Sequence, residues 1–211
     1  VVELLWEGPE DGPVLVLAHG AGAPMDSDWM DRVCALLAEP ARGVRTARFE
    51  FAYMAARREG SRKPPPRADR LLDEYRAVVG QVTDAVGGPV AIGGKSMGGR
   101  VASMIADDLH RAGLVSALVC LGYPFHPPGK PERLRTDHLA HLETPTLICQ
   151  GTRDPFGTVD EVPGYELSPS IRVRWIDDGE HELKPRPRVS GRSHAQNLAE
   201  AADAVASFLR D

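Results

Sequence analysis

A serine sits where an apolar run gives way to glycines: Val90-Ala91-Ile92-Gly93 leads into Gly94-Lys95-Ser96-Met97-Gly98-Gly99, and a helical pattern follows at once. Strand, sharp turn and helix around Gly-x-Ser-x-Gly is a setting that presents a serine hydroxyl as a nucleophile. Gly94-Lys95-Ser96 also looks like the end of a phosphate-binding loop. That loop needs a glycine where Pro89 stands, and it follows its strand, whereas Val90–Ile92 reads as strand itself. The phosphate-loop reading fails on both counts.

A serine hydroxyl needs an imidazole to take its proton and a carboxylate to orient that imidazole. Two further strand ends supply them. Thr146–Cys149 runs into Gln150-Gly151-Thr152-Arg153-Asp154-Pro155, and Ile171–Ile176 runs into Asp177-Asp178-Gly179-Glu180-His181. The reading takes Ser96 as nucleophile, His181 as base and Asp154 as its orienting partner. Among the rivals, His194 precedes the last helical pattern, where it caps or decorates it. Asp177 and Asp178 stand too close in sequence to His181. His126, His138 and His141 lie in or near a proline-rich stretch. A fourth strand, Val14–Ala18, ends in His19-Gly20-Ala21-Gly22, whose small residues let backbone N–H groups approach a developing oxyanion. The N–H groups of Met97 and Ala21 are assigned to that role, with Gly22 as the alternative donor and His19 as an orienting residue beneath the loop. Tyr123, Phe125 and Phe156, with Gly22, are the candidate substrate-binding positions, and Pro124 is a further pocket wall.

These groups are carried by alternating elements. Val14–Ala18, Val90–Gly93, Ala117–Leu121 and Thr146–Cys149 are continuous apolar runs, as expected of parallel strands buried on both faces. Val44–Phe51 and Ile171–Ile176 alternate and belong nearer an edge, and Val2–Trp6 reads as one more edge strand. Between them, apolar residues recur at helical spacing: Leu71 to Val86, Val101 to Ala112, Leu198 to Leu209, and Trp29 to Leu37 behind a cap at Asp26 or Ser27. Strands alternating with helices imply an α/β protein, a three-layer α/β/α sandwich with a mostly parallel sheet. The chain of 211 residues is read as one domain, residues 1–211. Met54–Arg67 and Tyr123–Arg135 read as surface excursions, and the short Pro124–Pro145 connection leaves room for minimal or no cap.

Composition narrows the partners. Hydrophobic residues at 42% and charged residues at 26% exclude a disordered chain, and no apolar run approaches the roughly 20 residues of a membrane span. Val1-Val2-Glu3 lacks a secretory pattern. Lys plus Arg number 25 against 30 acidic residues, a poor balance for neutralising nucleic-acid phosphates. Cys34, Cys120 and Cys149 sit in apolar stretches without CxxC spacing, which points to reduced core residues and a cytoplasmic protein. No metal-ligand spacing occurs, and the inferred chemistry needs no cofactor. Basic residues nevertheless gather near the strand-end face: Lys95, Arg153, Lys184, Arg186, Arg188 and Arg192, with Arg57, Arg58, Arg62, Lys63, Arg67 and Arg70. Such a rim would favour an anionic acyl substrate.

Over nearly its whole length the chain resembles the α/β-hydrolase superfamily, whose Ser…Asp…His order it shares. Leu17-Ala18-His19-Gly20-Ala21-Gly22-Ala23, Gly94–Arg100, Gly151–Gly157 and Tyr123–Pro131 look like a small, poorly characterised branch similar to dienelactone-hydrolase-like proteins. That branch extends to eukaryotic relatives, among them a non-catalytic-seeming subunit of a histone acetyltransferase complex. The resemblance implies an α/β-hydrolase fold and a Ser-His-Asp triad. Dienelactone hydrolases proper use a cysteine nucleophile; position 96 is serine, so their activity is not carried over. The resulting expectation is a serine hydrolase acting on a small-molecule ester, thioester or related acyl bond. The alternative is a protein-interaction module on a hydrolase scaffold, with a protein partner and little or no catalysis.

Overall fold

A computed structural model describes residues 2–211; Val1 lies outside the described residues. The four apolar runs form the sheet centre as β2 (Val14–Ala18), β4 (Val90–Lys95), β5 (Val115–Leu121) and β6 (Thr146–Gly151). On one side lie β3 (Arg45–Phe49) and β1 (Leu5–Glu7); on the other, β7 (Ile171–Ile176). The order is β1-β3-β2-β4-β5-β6-β7, parallel throughout except for the antiparallel pairing of β1 with β3. The alternating segments thus lie at β7, on one edge, and β3, next to the other. The expected strand at Val2–Trp6 is realised as Leu5–Glu7.

Burial on both faces explains the unbroken apolar runs. Leu15, Leu17, Ala91, Val119 and Leu147 face one way, against Val33 and Leu37 of α1 (Asp28–Ala38) and Leu198, Ala202 and Val205 of α7 (His194–Phe208). Val16, Ile92, Leu118 and Ile148 face the other way. There they meet Val78 and Val82 of α3 (Leu72–Val86), Val101 of α4 (Met97–Ser103) and Ala106 of α5 (Ala106–Arg111). Each such Leu, Ile or Val removed from water contributes about 1.5–3 kcal/mol. The result is a three-layer α/β/α sandwich.

Four local expectations are corrected. The helix read through Val101–Ala112 is two helices, α4 and α5, parted at Met104-Ile105. The Ser103 hydroxyl donates to the Arg100 carbonyl at 2.7 Å, sharing an acceptor that the Met104 N–H also reaches at 3.3 Å. The Met54–Arg67 excursion begins inside α2 (Ala52–Arg58), whose first N–H, on Ala52, donates to the Glu74 carboxylate. Ser27 occupies the cap position of α1, but its hydroxyl makes no capping bond, and Asp26 pairs with Arg58 instead. At α7 the cap is Ser193, in a reciprocal box with Gln196, and His194 is the first helical residue.

The topology places the site. From β2 the chain steps to β3 on one side, then crosses to β4 on the other. Loops leaving the carboxyl ends of β2 and β4 therefore part, and the crevice between them is where such sheets bind ligands. Tyr75 of α3 pins this point: its hydroxyl accepts from Gly93 N–H at 3.0 Å and lies 2.9 Å from the Val16 carbonyl. After β5, Gly122–Pro145 holds only a short 3-10 turn at Asp137–His141, so the crevice carries little cap.

Candidate active site

Ser96 ends β4 with φ 50° and ψ −112°, a backbone conformation that side-chain-bearing residues rarely adopt. The turn is possible because its neighbours lack side chains. A Cβ on Gly94 or on Gly98 would stand 2.5 Å from the Ala18 carbonyl oxygen, so α4 and β2 close on the serine only around glycine.

The three strand ends converge. Ser96 Oγ lies 2.8 Å from His181 Nε2, and His181 Nδ1 lies 2.8 Å from Asp154 Oδ2. Asp154 is fully buried and also accepts from Gln150 Nε2 (3.0 Å) and from the Phe156 N–H (2.9 Å). An ionised carboxylate only accepts, so Nδ1 carries the proton and Nε2 is left to accept from the serine hydroxyl. Phe156 packs on the imidazole with ring centres 4.1 Å apart.

The loop bearing His181 is tied down from three elements. Trp29 Nε1 of α1 donates to the Glu182 carbonyl (3.0 Å), which also accepts from His194, and Asn197 of α7 donates to the carbonyls of Asp177 and Leu183. Lys95, from β4 itself, donates its Nζ to the His181 carbonyl at 2.7 Å while lying over the Trp29 ring. The lysine that mimics a phosphate loop in sequence is thus a strut between the Ser96 turn and the His181 loop. Burial pushes its amine down to about 8, against the pull of Asp154, Glu182 and Glu180. Lys95→Met keeps the stem over Trp29 and removes the donor. It is expected to lower kcat about 10- to 100-fold with little change in KM, the scale on which a loosened catalytic group costs rate. A kcat within twofold of wild type would remove Lys95 from the positioning scheme.

Beneath the same loop, Asp178 (φ 52°) receives Arg186 Nε at 2.9 Å and pairs with Arg153 at 2.8 Å. Hydrogen bonds from Arg186, with the Arg153 charge behind them, hold its carboxyl well below the usual range. A carboxyl lowered by folding adds stability above its unfolded value of about 4 and loses it as pH falls through the folded value. Asp178→Asn is expected to melt at lower temperature than wild type at pH 7, with the gap closing below about pH 4. A gap constant from pH 7 to pH 2 would contradict this.

The oxyanion donors proposed from sequence also meet here. Ala21 and Met97 line one cavity with Ser96, and neither N–H is engaged elsewhere among the described residues. His19 is fully buried and accepts from the Phe51 N–H through Nε2, so its Nδ1–H donates to the Gly20 carbonyl at 2.6 Å. A trans peptide points its N–H opposite its C=O, so this bond fixes where the Ala21 N–H aims. Tyr53 adds a hydrogen bond to the Ala21 carbonyl (3.1 Å). Burial holds the His19 imidazole below its ordinary value, in keeping with a neutral orienting role.

Two cavities meet at the serine, and Ala21, Ser96 and Phe156 line both. One, of about 470 Å³, adds Met97, Arg100, Met104, Pro124 and Arg135; the other, of about 390 Å³, adds Gly22, Trp29, Lys95 and His181. Tyr123 and Phe125, expected as pocket walls, are corrected: both are fully buried and line neither cavity. The left-handed Gly122 (φ 69°) turns the chain inward after β5, and the two rings pack on each other at 4.9 Å, with Tyr123 donating to the Arg135 carbonyl.

Five members of the basic rim are compensated. Arg153 and Arg186 belong to Asp178, Arg192 to Glu200, Arg58 to Glu50 and Asp26, and Arg67 to Asp69. Sequence reasoning missed Gln150, although a polar residue ending an apolar strand was its signal. It also missed Trp29 and Tyr53, which carried none.

A second serine–histidine contact lies deeper, between Ser103 Oγ and His138 Nε2 at 2.8 Å. Ser103 is 2% exposed, its hydroxyl proton is spent on Arg100, and the nearby Asp107 carboxylate is taken by Glu143 and Thr144. That pair is structural. Among the described residues no cluster suits a metal ion, and no helix is long and apolar enough to cross a membrane.

Known proteins agree with this architecture. No curated protein matches the chain. A dienelactone hydrolase from Anabaena variabilis shares the fold at TM-score 0.72 and 21% identity, over 99% of this chain and 92% of its own. An alpha-beta serine hydrolase homologue from Coxiella burnetii does so at 0.69 and 17%, over 98% and 90%. The esterase domain of a Rhodothermus marinus protein does so at 0.69 and 14%, over 99% and 92%. Residues 11–210 match the sequence model described as an alpha/beta hydrolase domain, and the chain belongs to that family.

Proposed function

We propose that the protein is a serine hydrolase that cleaves a carboxylic ester, thioester or related acyl bond of a small molecule through an acyl-Ser96 intermediate. The single observation that carries this is the unbroken relay Ser96–His181–Asp154, with 2.8 Å at each link, opening onto two cavities. Ser96 Oγ attacks the carbonyl carbon as its proton passes to His181 Nε2, and the oxyanion formed is held by the Ala21 and Met97 N–H groups. Collapse breaks the bond to the leaving group, which takes the proton from the imidazolium. Water then attacks the acyl-serine, gives its proton to His181, and the acid departs as Oγ recovers that proton. Asp154 holds the productive tautomer throughout. Each of these steps draws only on protein side chains, backbone N–H groups and water.

A cytoplasmic setting is supported by Cys34, Cys120 and Cys149, all buried and unpaired as a reducing compartment allows. The test is covalent labelling by a fluorophosphonate probe, which reports an activated serine irrespective of substrate. Wild type is expected to label stoichiometrically and Ser96→Ala not at all. A folded wild-type protein that stays unlabelled would overturn the reading and favour an interaction module.

A further inference from the structure

The larger cavity contains charge that the relay does not use. Arg100 stands one helical turn beyond Ser96 on α4, its backbone N–H bonded to the Ser96 carbonyl, and Arg135 reaches the same cavity from the connection after β5. Both are partly buried. Among the described residues neither guanidinium has a carboxylate within ion-pair distance or a side-chain hydrogen bond, whereas Arg67, on the same cavity, is paired. The buried Nε of Arg100 has no acceptor at all. Asp69 also lines this cavity, but its carboxylate is engaged by Arg67. His138, next to this floor, is held below its ordinary value by burial and by the Arg100 charge, which favours its neutral form. Burial, with Arg100 alongside, likewise holds Arg135 below its ordinary value. Two uncompensated guanidinium groups sharing one cavity are costly unless an anion joins them.

The position of that anion follows from the relay. The leaving group must take a proton from His181, and His181 lines the smaller cavity and not the larger. The acyl portion therefore extends into the larger cavity, towards the arginines. Resting on the acyl-serine reading above, we propose that Arg100 and Arg135 bind a carboxylate at the far end of the acyl group. The substrates are then half-esters or half-thioesters of dicarboxylic acids. Met97, Met104 and Pro124 supply apolar wall for the methylenes between the two ends. The planar forks of two arginines match a carboxylate's paired oxygens, a fit that the rounder ammonium of lysine does not reproduce.

The test compares 4-methylumbelliferyl half-esters of glutaric and adipic acids with their methyl-capped counterparts. Wild type is expected to prefer the free carboxylate by about 10- to 100-fold in kcat/KM, the scale of charge-assisted hydrogen bonds. In Arg135→Met and Arg100→Met that ratio falls towards one, and Arg135→Lys restores it only in part. A wild-type ratio near one for both acids overturns the proposal without needing any variant. Calorimetric titration with adipate supplies a readout independent of turnover: wild type binds it, and Arg135→Met weakens binding at least tenfold. Adipate binding in a protein that fluorophosphonate leaves unlabelled would uphold the subsite and sink the hydrolase reading. Cleavage of both esters without preference would do the reverse.

Discussion

Ser96→Ala is expected to lower kcat on activated short-chain esters by about 10⁵- to 10⁶-fold, and His181→Ala by a similar amount. The two groups act as one device: the hydroxyl is a poor nucleophile until Nε2, 2.8 Å away, takes its proton. Removing either disables the other, so the double variant is expected to be no slower than either single one. Some acceleration over water survives, because the Ala21 and Met97 N–H groups still receive an oxyanion when water attacks directly. Single-turnover and steady-state measurements on the three variants decide the matter. Losses that multiply would mean that Ser96 and His181 act separately, and a Ser96→Ala rate within a hundredfold of wild type would place the nucleophile elsewhere.

Asp154→Asn is expected to cost about 10⁴-fold in kcat while leaving the fold intact. The carboxylate accepts three donors: His181 Nδ1, Gln150 Nε2 and the Phe156 N–H. An amide has one accepting oxygen. If that oxygen stays with the Phe156 backbone at the Oδ1 position, the amide nitrogen faces both Gln150 and His181. Two donors then oppose each other, and the imidazole is driven to the tautomer that holds its proton on Nε2, where it cannot receive the serine's. A low-field Nδ1 proton resonance, present in wild type and absent in the variant, would report the change directly. Wild-type kcat in a folded Asp154→Asn protein would show that the carboxylate does not set the tautomer.

The positions of Ser96, Asp154 and His181 were legible because each follows a strand whose apolar run is visible locally, and parallel strands put their ends on one rim. The glycines at 94 and 98 were legible for a similar reason: a backbone contact 2.5 Å from a hypothetical Cβ leaves only one residue type. Side-chain direction after a strand end was not legible. Tyr123 and Phe125 have the composition of a pocket wall and equally that of a core, and the Gly122 turn decides between them. Helical periodicity through Val101–Ala112 was real, yet the segment forms two helices whose apolar residues share one face. Arg100 and Arg135 escaped notice for another reason. Nothing in the chain between them marks them as neighbours, and a rim of arginines counted along the sequence hides which ones have found partners. Pairing, not number, decides where positive charge remains.

The left-handed backbone at Ser96 has a cost that outlasts any single turnover. A side-chain-bearing residue held there carries about 1–3 kcal/mol that a glycine would shed. The deficit is paid at all times, with or without substrate, by packing elsewhere in the sheet. A sequence optimised only to resist melting would discard this serine first. At this turn durability is exchanged for a hydroxyl held 2.8 Å from His181 Nε2.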